Sequence, residues 1–147
     1  MDFSSINFLS VGVATVAGYV VGAIYYMALG KLWVRAAGLD AAKMTMRYSP
    51  FVISFVAEFV LAMVLYFVLD DITFAGTFSE DFDLKAGVAW ALLLWLGLVA
   101  VPLTVNHRYQ GASWALTLID GVHWLLVLVV MAGIIGWFGP SVEATLT

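Results

Sequence analysis

The sequence predicts an all-α integral membrane protein, four transmembrane helices in an antiparallel bundle with both termini on the outer side. Three observations carry this. Of 147 residues, 64% are apolar and 11% charged, against roughly 45–50% and 25% in soluble domains, so a soluble globule would lack its polar surface. Four stretches, Ile6 to Leu29, Phe51 to Leu69, Leu84 to Val105 and Trp114 to Phe138, each supply the roughly 20 mainly apolar residues that a membrane crossing needs. The charges segregate. Lys31, Arg35, Lys43 and Arg47 fall between the first two stretches and Arg108 between the last two, whereas Asp2, Asp70, Asp71, Glu80, Asp81, Asp83 and Glu143 oppose them with Lys85 alone. Basic loops stay in the cytoplasm, which places the chain in a plasma or bacterial inner membrane with both termini periplasmic or extracellular.

The length fits a single domain spanning residues 1–147. Asp2 stands where a signal peptide would be basic, and no small-residue cleavage site follows, so the first span is expected to be retained. Within it Gly18 and Gly22 form a GxxxG spacing that lets another helix approach closely; Gly133 and Gly136 offer a weaker version in the fourth span. Helical spacing continues past the first span through Leu32, Trp33, Arg35 and Ala36, and Gly38 reads as a helix stop. Asp40 reads as the N-cap of a further helix from Ala41 to Tyr48, with Pro50 kinking it at the membrane. Residues 30–49 are thus expected to form a helical hairpin on the cytoplasmic side. The link from Asp70 to Asp83 reads as loop. In the third span, Pro102 should bend the helix and free a carbonyl near Leu98. The short link from Asn106 to Ser113 makes the last two spans antiparallel neighbours. Trp33, Tyr48, Tyr109 and Trp114 suit the inner headgroup level and Tyr66, Trp90 and Trp137 the outer; Trp95 and Trp124 fit neither and read as packing within the bundle.

Beyond these patterns, the chain resembles the DUF1761 family of small membrane proteins, whose function is uncharacterised. The resemblance is carried by Gly22, Tyr25, Tyr26, Gly30, Lys31, Trp33, Gly38 and Leu39, then by Trp95 to Val99, Asn106 and Tyr109. It continues through Ile119, Asp120, Gly121 and His123, and closes with Met131 and Gly133 to Trp137. Members often carry a tyrosine before the fourth-span histidine, where this chain has Val122. The resemblance implies four spans and no particular activity.

Ionisable residues at membrane depth cost about 2.5–3.5 kcal/mol each on insertion scales and are functional candidates by default. There are three: Glu58, Asp120 and His123. Counting from Pro50 and Ser113 at 1.5 Å per residue places them about 12, 10 and 15 Å in from the cytoplasmic face, so all three could share one layer. Asp120 and His123, three apart, are expected to touch. Tyr19 could add its hydroxyl to the cluster. His107 is expected at the surface, out of reach of this layer. One histidine and two carboxylates make a weak ligand set, so neither a metal nor another cofactor is expected.

The formal charge of −4 argues against a nucleic-acid partner, and the absence of cysteine removes disulfides, iron–sulfur clusters and thiol catalysis. No residue is assigned a catalytic role. The leading reading is an oligomeric protein that transports protons, cations or small solutes through the Glu58, Asp120 and His123 cluster. The alternatives are a scaffold subunit of a larger membrane complex, in which these residues pair dryly, and a membrane enzyme acting on a lipid or quinone through an open pocket. The partners are therefore the lipid bilayer and either further copies of the chain or a membrane complex.

Overall fold

The computed structural model describes residues 6–45, 47–74 and 84–138. Four long helices are packed together, each apolar and long enough to cross a membrane: α1 (Phe8–Ala36), α2 (Ser49–Phe74), α3 (Leu84–Tyr109) and α4 (Trp114–Phe138). They carry large apolar side chains on exposed as well as buried faces, as contact with lipid requires, and a helix satisfies its backbone groups from within its own segment. Most of the expected outer link, and the terminal acidic residues Asp2 and Glu143, lie outside the described residues. Asp70 to Phe74, read from sequence as loop, continues α2, with no glycine or proline to stop it before Gly76.

Helix α4 is the centre of the bundle, with α1 and α3 on its flanks and α2 against α1 and part of α4. The pairing of α1 with α4 is antiparallel: Gly18 faces Met131, Tyr25 meets Ile119, and Ser113 Oγ donates 2.8 Å to the Ala36 carbonyl. Helix α3 also runs against α4, since Gly87 lies at Ala132 and Leu84 at Gly133. A Cβ on Gly87 would stand 2.8 Å from the Ala132 carbonyl oxygen, so the absent side chain permits this approach.

The helix ends follow local chemistry. Asn7 caps α1 by accepting the Ser10 N–H at 3.1 Å. At its other end Gly38 takes φ +67°, and the Leu39 N–H returns to the Val34 carbonyl. The helix expected from Ala41 to Tyr48 does not form. Asp40 caps only a 3-10 turn, Ala41–Lys43, beyond which Met44 is extended. Pro50 begins a helix instead of kinking one: it lies in the first turn of α2, where its missing N–H costs nothing. In α3, Pro102 produces a wider turn. Trp95–Ala100 is π-helical, and the Val101 N–H reaches back five residues to the Leu96 carbonyl, which makes room for a residue with no N–H to give to position 98.

The apolar core occupies the half of the bundle away from Lys31, Arg35 and Arg108. Val11 and Ala14 of α1, Ala62, Leu65 and Leu69 of α2, and Val127, Met131 and Ile135 of α4 are at most 2% exposed. Tyr66, expected at the headgroup level, is likewise buried there. In the opposite half α2 leaves the bundle: residues 49–57 are all exposed, and burial begins at Glu58.

Candidate intramembrane site

Where α2 separates from α1 and α4, a cleft of about 690 Å³ opens. Tyr19, Gly22, Ala23, Tyr26 and Met27 of α1, Phe51, Ile53, Ser54, Ala57 and Glu58 of α2, and His123 and Trp124 of α4 line it. Met27, Phe51 and Ile53 are 77%, 54% and 66% exposed, so the mouth lies on the flank of the bundle, which faces acyl chains in a bilayer. Glu58 and His123 are buried, at 4% and 5% exposure. Neither Glu58 Oε2 nor either nitrogen of His123 has a hydrogen-bond partner among the described residues.

Glycine creates this geometry. A Cβ on Gly22 would stand 2.8 Å from His123 Nε2 and 3.7 Å from Glu58 Oε1, so both groups converge on the space that a side chain would fill. A Cβ on Gly18 would meet Met131 Cε and lie 2.9 Å from Glu58 Oε2. The expected close-approach spacing therefore admits the ends of Glu58, His123 and Met131 within a single copy of the chain. Gly133, in the fourth span, faces Leu84, and Gly136 is buried. His123 stands among aromatic rings, with centroids 4.7 Å from Tyr26, 5.1 Å from Trp124 and 5.7 Å from Tyr25. Tyr19 meets Phe55 edge-on at 5.5 Å.

Asp120 does not join this group. Its Oδ1 accepts the Tyr26 hydroxyl and the Trp33 indole N–H, both at 2.9 Å, and its Oδ2 lies 3.9 Å from His107 Nε2. The expected Asp120–His123 contact is thus replaced by a tether to the basic end of α1, with no hydrogen bond or ion pair joining the two residues. The placement of His107 is corrected too. It is folded inward against α4, with Nδ1 3.0 Å from Thr117 Oγ1, and Arg108 Nη2 donates to the same oxygen at 2.9 Å. The Arg108 guanidinium also lies 3.9 Å over the Trp114 ring. This polar cluster ties the ends of α1, α3 and α4 together, while the cleft holds Tyr19, Glu58 and His123.

Trp124, Ser54 and Tyr26 escaped the sequence reading as site residues. Tyr26 and Trp33 are seven apart, which puts them on one face of α1, and that spacing was the available signal for the Asp120 tether. Trp95 does pack within the bundle, donating to the Gly121 carbonyl at 2.8 Å.

These features define a small multi-pass membrane protein of four packed apolar helices, with a buried carboxyl and imidazole beside a lateral cleft. The chain belongs to the family described as protein of unknown function (DUF1761), whose profile matches residues 9–136. Comparison with curated proteins and with solved structures finds no match.

Proposed function

We propose that this protein binds a small amphiphilic molecule from within the bilayer, in the cleft between α1, α2 and α4. The observation that carries the reading is the pairing of an apolar lateral mouth with two buried polar side chains, of which Glu58 Oε2 and both His123 nitrogens have no hydrogen-bond partner among the described residues. Buried polar groups are normally satisfied, and those left unpaired at membrane depth are candidates for ligand contact. A cleft of about 690 Å³ falls within the ~300–1,000 Å³ range of small-molecule sites. A scaffold would pair these residues dryly. Passage of the bound solute or of protons is the finer reading, favoured by two ionisable groups at the inner end of one cleft; Asp120 supports the helix that presents His123.

A photoreactive amphiphile in the bilayer should label the peptides containing Ala23 to Met27 and Phe51 to Glu58. Ala57→Phe, at an exposed position on the cleft wall, should lower that labelling at least fivefold without unfolding the protein. Labelling spread evenly over the lipid-facing residues of α3 would overturn the reading.

The basic link between α1 and α2 belongs in the cytoplasm under this proposal, so the mouth opens into the inner leaflet. The chain has no cysteine, which makes single introduced thiols informative. Thr45→Cys should stay unlabelled by an impermeant reagent in intact cells and react after permeabilisation, while Ser5→Cys reacts in both. The opposite pattern would invert the assignment.

A further inference from the structure

We infer that the cleft selects lipophilic organic cations, an ammonium or phosphonium centre on an apolar body, with the positive charge held against Glu58. This rests on the cleft being an amphiphile site and adds the class of molecule.

The first argument is charge. Among the described residues the lining includes Glu58 and His123 but no lysine or arginine. Arg108, at the end of α3, is committed to Thr117 and the Trp114 ring. A carboxyl this deeply buried stays protonated while nothing offsets its charge, and it gives up that proton only when a positive group comes to rest against it. An incoming cation supplies one. An anion finds no positive side chain in the lining and keeps Glu58 protonated, so only a cation gains the full attraction of the carboxylate.

The second argument is the walls. Tyr19, Tyr26, Phe51 and Trp124 line the same space, and aromatic faces attract cations through their quadrupoles, most strongly where water is excluded. The ring nitrogens of His123, which have no partner among the described residues, offer a further polar contact to an N–H of an ammonium centre. Towards the mouth, Met27, Ile53 and Ala57 are apolar and exposed, so the body of the molecule can lie in the acyl region while its charge sits inside.

The full chain, reconstituted in phosphatidylcholine nanodiscs, tests this with three probes: tetraphenylphosphonium, its charge-reversed counterpart tetraphenylborate, and the neutral amphiphile decylubiquinone. Each is measured by equilibrium dialysis against empty nanodiscs. Saturable binding of tetraphenylphosphonium is expected, at least tenfold tighter than that of tetraphenylborate. Glu58→Gln should weaken it at least tenfold, and Ala57→Phe should weaken it by blocking the space with the carboxylate intact. Tetraphenylborate binding as tightly as its counterpart, or Glu58→Gln leaving the cation unaffected, would overturn the charge assignment. If Glu58→Gln fails to fold, the comparison of the two isosteres in the wild-type chain still decides. Decylubiquinone binding that Ala57→Phe abolishes, without any cation binding, would overturn the cation class yet keep the amphiphile site. Absence of saturable binding for all three probes would remove both.

Discussion

Asp120→Ala is expected to be the most destabilising polar substitution in the bundle, whereas Asp120→Asn is expected to be nearly silent. The Asp120 carboxylate is the shared acceptor for Tyr26 and Trp33 and lies 3.9 Å from His107, so truncation removes two hydrogen bonds between α1 and α4 together. Interhelical hydrogen bonds in membranes average about 0.6 kcal/mol and reach about 1.7. Losing two while leaving both donors without an acceptor should cost about 1–3 kcal/mol. Asparagine retains an oxygen for Tyr26 and Trp33 and turns its amide towards His107. Thermal melting of the three proteins in one detergent checks the order. Equal losses for Ala and Asn would show that the negative charge, and not the acceptor oxygen, holds the helices.

Why the spans were legible in the sequence and the site only partly so follows from the same composition. A helix that is apolar all round shows its length plainly, and the residues from Trp114 to Phe138 are helical throughout. Its rotation leaves no periodic trace. Counting residues gives depth, and Glu58 and His123 do converge; it does not give partners, and although Asp120 and His123 both meet α1, the Tyr26 hydroxyl and the Trp33 indole take the Asp120 carboxylate. The inward fold of His107 depends on the Gly111 turn, whose φ of +68° aims the end of α3 at Thr117. The cleft was the least readable feature. It exists because residues 49–57 of α2 are exposed and burial begins only at Glu58, a matter of how helices diverge that the mainly apolar run from Phe51 onward does not announce.

Replacing His123 by Phe and Glu58 by Met should have the opposite sign from Asp120→Ala and raise the melting temperature, singly and together. Both native side chains are at least 95% buried, with polar atoms that no described residue satisfies, and exchanging unsatisfied polar groups for apolar ones of similar shape is neutral or stabilising. Phenylalanine keeps a flat ring against Tyr26 and Trp124, and the missing Cβ of Gly22 is what lets a ring lie at this position. Methionine follows the path of the glutamate stem past Gly18. Each change should gain about 1–2 kcal/mol, from the usual desolvation penalty of an unpaired buried group. The two sites lie against the same glycine, so the gains need not add. The same variants should lose cation binding. Protein that is more stable and inactive is the signature of side chains kept for a ligand at the expense of the fold. Destabilisation by both substitutions would instead assign Glu58 and His123 to holding the helices together.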